Sequence, residues 1–521
     1  MRGLTVSDVL HVIIDQAEAA PDHPAVKDLN SEYSYSELIN EVARTAAGLR
    51  VHGVSEGDRV ALLLPNSVDF VVVALASLWL GAIFVPLAMT DPEARLTTIV
   101  SDCAPAAVIS IDDDDADRRT SLGRAPIVRM AELRGSGSAP IEALPASSRV
   151  AYAIYTSGTT GTPKGVLIDN CAFDAAVASA AEALKITRAT RTLCVSPFYF
   201  DGSFGTLFPT LYSGGSVVIR PRDSLLFPRT FFNAVRAEAI TYTGFSPSYL
   251  RILLASPQLT GLADSSLEMI ALGGEACSVA DLRALWAAAP EMRIFNRYGP
   301  TETTIAVSHL ELTPELTAEG TVPLGYPHPG VTFHLIDEQG GAVSEPGRVG
   351  ELYIGGSQLM KGYWGAPELT SAVMRDDVVA GETVYRTGDL VYRDEQGAYV
   401  YVDRADRVIK RSGVRISLVE LSEAMRSLDG VSAAACVVFD DEGELGIVAF
   451  VVAESVMSPL ELQRAARDVL PETMLPNRVE LVEGLPLTPS SKLDERLLLA
   501  QAGLRPLLSA AGPGTSSRTS S

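Results

Sequence analysis

The sequence predicts an α/β fold: a large N-terminal domain of helix-covered sheets with a small β-rich subdomain, then a small α+β domain at the C-terminus. Three observations carry this. Short β-rich runs alternate with helix-like segments over most of the first 300 residues, the pattern of parallel sheets covered by helices. Between about 321 and 402 the character changes to short strands separated by Gly, Pro and Asp. After "DRADRVIKRSG" a compact unit of mixed helices and strands begins. A chain of 521 residues is too long for one hydrophobic core, so several domains are expected.

Taken in order, "FVVVALASLWLGAIFVPL" (70–87) has nearly the length of a membrane span. Gly81 interrupts it, β-branched residues follow and Pro86 ends it, so it reads as a buried helix running into a buried strand. "VAYAIYT" (150–156), "TLCVSPF" (192–198), "GSVVIRP" (215–221), "ITYTGFS" (240–246), "LEMIALG" (267–273) and "MRIFNRY" (292–298) read as strands. Between them "AFDAAVASAAEALKI" (172–186), "FFNAVRAEA" (231–239) and "VADLRALWAAA" (279–289) read as helices. "GRVGELYIGG" and "DEQGAYVYV" mark the β-rich subdomain. The last unit holds a helix (418–428), strands "AACVVFD" and "LGIVAFVVA", a helix (458–469) and a strand "NRVELVE". The expected division is 1–404, 405–505 and a small polar tail, 506–521, composed as disordered segments are.

Composition narrows the function. With 42 basic against 64 acidic side chains the formal net charge is −22, which argues against nucleic acid or an anionic membrane as partner. A small anion in a locally positive pocket is still allowed. The five cysteines (103, 171, 194, 277 and 436) have no metal-ligand spacing and read as free core thiols. The six histidines are scattered, and His309 and His334 read as structural. The acidic run "IDDDDADRR" (111–119) reads as a solvated loop. No secretory signal precedes the fold, so a soluble cytoplasmic protein is expected.

"YTSGTTGTPKG" (155–165) follows a strand and combines three glycines, five hydroxyl side chains and Lys164. Glycine lets backbone amides curl around an anion, hydroxyls add donors, and the lysine adds charge. The Walker spacing GxxxxGK[ST] is absent. "PFYFDGSFG" (197–205) sets Asp201 among aromatics. An acid there calls for a cation, because a buried carboxylate without a partner is costly. The nearest charges in sequence, Arg191 and Arg220, are not local to it.

With "YSYSEL" (33–38), "LGAIFVPL" (80–87), "NRYGPTET" (296–303), "GELYIGG" (350–356), "YRTGDL" (385–390), "DRADRVIKRSGVRI" (403–416), "LPETMLP" (470–476) and "SSKLD" (490–494), the chain resembles the adenylate-forming (ANL) superfamily. Within it, the resemblance is to amino-acid adenylation enzymes of nonribosomal peptide synthesis. It implies two steps: a carboxylate attacks the α-phosphate of ATP and releases pyrophosphate, then a thiol takes the acyl group. It also implies that Thr156, Ser157, Gly158, Thr159, Thr160 and Lys164 hold phosphates and that Glu302 ligates Mg²⁺. Asp389 would accept the ribose hydroxyls, Tyr298 and Tyr401 would flank adenine, and the backbone at Gly274, Glu275 and Ala276 would read its edge. Lys492 would bridge substrate carboxylate and α-phosphate. Asp406 matches the hinge on which the small domain swings, with Arg404, Lys410 and Arg415 lining the moving edge. Asp403–Arg404 stands where the superfamily usually has Gly-Arg, and Ser490-Ser491-Lys492 where it has Asn-Gly-Lys; both keep the charge and change the turn.

The position of Asp201 is where amino-acid-activating members hold an acid for the substrate ammonium; the bland alternative is a helix cap. Carrying the pocket positions across gives Asp201, Gly202, Gly205, Gly244, Ala271, Gly273, Arg297, Ile305, Ala306 and Lys492. Glycine and alanine dominate, so a roomy cavity is expected. Arg297 would meet a second carboxylate or support a backbone carbonyl. "FDGSFG" looks like stand-alone enzymes that load β-amino acids for macrolactam polyketides; an α-amino acid is the alternative. The acceptor is expected to be a discrete carrier protein bearing a phosphopantetheine thiol, against free CoA in an acyl-CoA ligase or no reaction in a silent AMP-binding protein.

Overall fold

The computed structural model describes residues 8–111, 125–136, 150–157, 163–317, 321–405, 408–411, 414–441, 444–453, 457–470, 475–488 and 493–506. The acidic stretch from 112 and the tail from 507 lie outside them. The chain divides into two compact units, Met1–Thr387 with Val391–Tyr401, and Gly388–Leu390 with Val402–Ser521.

In the first unit an 8-stranded sheet runs in the order Ser308–Leu312, Arg293–Tyr298, Met269–Gly273, Tyr242–Phe245, Arg191–Cys194, Ser216–Ile219, Pro24–Lys27, Glu32–Ser34. All its pairings from Arg293–Tyr298 through Pro24–Lys27 are parallel. Such strands are covered on both faces, which is why they read as continuous apolar runs. A 7-stranded sheet contains Ile83–Pro86, Val150–Ser157 and Pro163–Asp169, and a third, 6-stranded sheet forms the β-rich region from Pro323 onward.

The apolar stretch 70–87 resolves into the helix Val68–Trp79 and the strand Ile83–Pro86. Ser67 caps the helix through Phe70 N. Gly81 ends it at φ +66, with Gly81 N–H on Leu78 O and Ala82 N–H on Ser77 O. That paired bonding is the glycine C-cap that lets a buried helix turn at once into a buried strand. Among the described residues no helix is long and apolar enough to cross a membrane.

An aromatic core joins the two large sheets. Phe204 packs edge-on against Tyr152 at 5.3 Å, Phe84 at 5.6 Å and Phe208 at 5.4 Å. Phe204, Leu207, Phe208 and Leu211 share one face of the helix Phe204–Tyr212 and belong to this core. The aromatics flanking Asp201 therefore anchor the helix entrance.

The second unit holds the antiparallel pair Val431–Asp441 and Glu444–Ala453, with Arg478–Leu481 parallel to the latter. The helices Leu418–Arg426 and Pro459–Val469 lie where expected. A further helix, Glu495–Gln501, was not anticipated; Asp494 caps it. The cysteine reading needs one correction. Cys103, Cys194 and Cys436 are buried, but Cys171 is exposed, in the first turn of the helix Asn170–Ala183.

Candidate active site

Parallel strands end together, so their carboxyl edge gathers side chains from several elements into one crevice. Gly273 and Arg297 are register partners at that edge. The Arg297 side chain lies across Gly273: a Cβ there would fall 2.4 Å from Arg297 Cγ. Its Nη1 lies 3.3 Å from where a Cβ would stand on both Gly205 and Gly244. It donates to Thr206 Oγ1 at 3.4 Å, the one hydrogen bond of this guanidinium among the described residues. Arg297 is only 8% exposed. Burial pushes its pKa below the ordinary arginine value, while Tyr242 and Asp201 push it back up.

This corrects the expectation of a roomy pocket. The space that Gly205, Gly244 and Gly273 release is occupied by the arginine and by Ile305, whose Cγ2 would sit 2.7 Å from a Cβ on Gly205. Ala271 is fully buried in an apolar cluster with Tyr242 and Phe295. Gly202 alone among these glycines has nothing within 4 Å of an added Cβ. The space beside Gly205, Gly244 and Gly273 is thus filled, and that beside Gly202 is not.

Asp201 begins the short helix Asp201–Ser203, and the cap positions of this turn and of the next helix are Phe200 and Ser203. Asp201 interacts electrostatically with Arg297 and Tyr152. Arg191 and Arg220, its nearest cations in sequence, both pair with Glu238 instead. The acid's cationic neighbour comes from a strand almost a hundred residues away in sequence, out of reach of any local reading.

The strands Val150–Ser157 and Pro163–Asp169 pair antiparallel, with Thr156 opposite Lys164. Gly158, Thr159 and Thr160 lie outside the described residues, as do Asp406 and Lys492, and Ser157 is described by its backbone. Lys164 Nζ stands 5.3 Å from the centre of the Tyr363 ring. Tyr363 Oη donates to Glu302 Oε1 at 2.8 Å, and Met360 N–H holds the Glu302 carbonyl at 2.9 Å. Burial, followed by the Glu302 charge, raises the Tyr363 pKa, so its hydroxyl stays a donor. One aromatic side chain therefore lies against both Lys164 and the Glu302 carboxylate. The chemistry of that carboxylate, a hard oxygen ligand beside a lysine, fits Mg²⁺ with phosphate.

Gly274 has φ +85, a left-handed conformation that glycine adopts without strain. Glu275 turns its carboxylate onto Ser248, whose N–H donates at 3.1 Å. Tyr298 and Tyr401 are half-buried against one apolar cluster, and Tyr298 meets Phe333 edge-on at 6.4 Å. In the second unit Asp389 is 7% exposed and pairs with Arg404 Nη1 at 3.3 Å.

Sequence reasoning missed Tyr363, Thr206 and Gln358. "SQLMKGYWG", just after "GELYIGG", offers only a glutamine and a tyrosine five residues apart, with no periodic or motif signal of its own.

The chain and its fold have counterparts among known proteins. The chain matches the family model described as AMP-binding enzyme over residues 13–364, and AMP-binding enzyme C-terminal domain over 420–492. It is 33% identical over 503 residues to enterobactin synthase component F of Escherichia coli O157:H7, covering 94% of this chain and 39% of that protein. It is 32% identical over 514 residues to surfactin synthase subunit 1 of Bacillus subtilis (strain 168), covering 96% of this chain and 14% of that one. The chain thus spans less than half the length of these relatives. Among solved structures, holo-AB3403, a four-domain nonribosomal peptide synthetase bound to AMP and glycine, superposes with a TM-score of 0.83 at 27% identity. That match covers 98% of this chain and 37% of the synthetase. ATP-bound MatB from Rhodopseudomonas palustris superposes with a TM-score of 0.85 at 22% identity, covering 95% of this chain and 99% of MatB, and speaks to the fold alone.

Proposed function

The chain belongs to the AMP-binding enzyme family and is an adenylate-forming ligase, and from that premise we propose that it activates an amino acid carrying a second acidic group. The amine would stand one carbon from the usual α position, and the aminoacyl group would pass to the phosphopantetheine thiol of a discrete carrier protein. The observation that carries the substrate reading is the buried Arg297 guanidinium, with one hydrogen bond, of 3.4 Å, among the described residues and within electrostatic reach of Asp201. A desolvated cation with five donors calls for an anion, and a planar carboxylate matches its fork. The sequence position of Asp201, where amino-acid-activating enzymes of this kind hold an acid for the substrate ammonium, supports an amine at that end. The β-amino preference is supported by the form "FDGSFG" and by the open space beside Gly202.

In the first step the substrate carboxylate oxygen attacks the α-phosphorus of ATP, and the bond to the β-phosphate oxygen breaks to release pyrophosphate. Anion attacking anion needs alignment and charge neutralisation rather than an enzyme nucleophile. Asp201 and Arg297 would orient the substrate by its two ends, while Thr156 and Lys164 would hold phosphate oxygens. Glu302, held by Tyr363, would ligate Mg²⁺, which supplies charge neutralisation when bound. Lys492 would neutralise the two anions that meet. Glycines 205 and 244 exclude side chains that would displace the guanidinium. In the second step the carrier thiolate attacks the acyl carbon and AMP leaves.

The test is ATP–pyrophosphate exchange across α- and β-amino acids, each with neutral and acidic side chains. Fastest exchange with an acidic β-amino acid is expected. Preference for a neutral acid removes the role of Arg297, and preference for an α-amino acid removes the β assignment. CoA and a holo carrier protein offered in parallel decide the acceptor; turnover with CoA alone overturns the carrier reading.

A further inference from the structure

The pocket turn that carries Ile305 and Ala306 is strained. Thr304 and Ile305 have φ of +60 and +69, a region that β-branched residues avoid. Locally the turn has Thr304 N–H on Thr301 O at 3.1 Å and Ala306 N–H on Thr304 O at 2.8 Å, and the surroundings must help to hold so disfavoured a backbone. Gln358, 1% exposed, does so from the far side. Its Nε2 donates to Ala306 O at 2.7 Å and to Thr304 O at 3.3 Å, with Thr303 O at 3.5 Å. Its own carbonyl accepts the Thr304 hydroxyl at 2.7 Å.

With Nε2 spent on carbonyls, Gln358 Oε1 is an acceptor, and the order of donors beyond it follows. His328 Nδ1–H donates to Gln358 Oε1 at 3.0 Å, so His328 Nε2 must accept. His309 Nδ1–H then donates to His328 Nε2 at 2.9 Å. His309 Nε2 is left as a buried lone pair without a hydrogen bond among the described residues. His309 is the cross-strand register partner of Arg297. Burial, His328 and Arg297 together hold its pKa well below the ordinary histidine value. The relay is therefore neutral and directional, running from the pocket arginine's neighbour to the pocket's strained turn.

We infer that Gln358 is a positioning residue for acyl-substrate selection, holding Ile305 and Ala306 in place and coupling them through His328 and His309 to Arg297. The inference rests on the reading of this crevice as the acyl pocket. Gln358 holds the carbonyls of Thr304 and Ala306, which flank and include the acyl-pocket residues Ile305 and Ala306, so the expected signature is that the acid's KM moves and that of ATP does not.

The experiment measures exchange kinetics of the full chain with whichever carboxylic acid the wild type activates. A failed amino-acid assignment then shows in the wild type alone, and a failed relay shows only in the variants. Gln358→Leu is expected to raise KM for the acid about tenfold to a hundredfold, the usual consequence of small misplacement. ATP KM should stay at the wild-type value, with far-UV circular dichroism unchanged. His328→Leu should raise the acid KM in the same sense, and His328→Asn, which restores a donor toward Gln358, should recover it. An unchanged acid KM, or equal rises in both KM values, overturns the proposal. Should Gln358→Leu fail to fold, the histidine pair decides: equal KM values in His328→Leu and His328→Asn also overturn it.

Discussion

Replacing Arg297 by methionine isolates the charge from the packing. Methionine keeps a methylene chain over Gly273, where a Cβ would stand 2.4 Å from Arg297 Cγ, and removes the guanidinium held at 3.4 Å from Thr206. If a substrate carboxylate sits on that guanidinium, the variant leaves it buried and unpaired, a loss of about 2–5 kcal/mol. At about 1.4 kcal/mol per tenfold, kcat/KM for the acidic substrate falls roughly 30- to 5000-fold. A neutral amino acid of the same length should lose nothing and can gain, because the pocket no longer demands an anion. The assay is ATP–pyrophosphate exchange with a matched acidic and neutral pair, ATP held saturating. Equal losses on both substrates would refute the reasoning and make Arg297 a support for the pocket wall.

Three further outcomes follow from the same geometry. Asp201→Ala should cut amino-acid activation by about a hundredfold or more while nucleotide affinity, read by calorimetry, stays near wild type, since only the ammonium loses its counter-charge; equal activity would return Asp201 to a structural role. Tyr363→Phe keeps the ring beside Lys164 and deletes the 2.8 Å bond to Glu302. A bond to a charged acceptor is worth about 1.5–3 kcal/mol, so the Mg²⁺ concentration for half-maximal exchange should rise about tenfold or more, and an unmoved requirement would detach Tyr363 from the carboxylate's role. His309 and His328 both have folded pKa values below the ordinary value of 6.5. Their contribution to stability is therefore complete above pH 6.5 and is lost as pH falls toward the folded values, because the unfolded chain takes up the protons first. Thermal melts should show this acid-side loss, and a His309→Leu, His328→Leu double variant should show less of it.

How much was legible in advance differs by feature. The alternation of strands and helices follows from local periodicity and burial, and it predicted the parallel sheets. Gly81 marked where one buried element becomes another, because glycine takes the positive φ of a sharp helix end without strain. Asp201 could be flagged as an acid needing a cation. Its neighbour Arg297 could not be identified from spacing, since a strand edge brought the two together. The glycines misled in an instructive way: small residues read as empty space, whereas the room beside Gly205, Gly244 and Gly273 is filled by Ile305, Thr206 and Arg297.

The sequence alone determined the class of fold, the order of its elements and the residue types required for anion and ammonium recognition, because periodicity, turn chemistry and charge are properties of short segments. Tertiary structure decided what those residues meet. It set Arg297 within electrostatic reach of Asp201, Tyr363 between Lys164 and Glu302, and Gln358 against a turn that its own residues disfavour. Each pairing joins segments distant in the chain, and only the packing of sheets and helices settles which distant segments become neighbours.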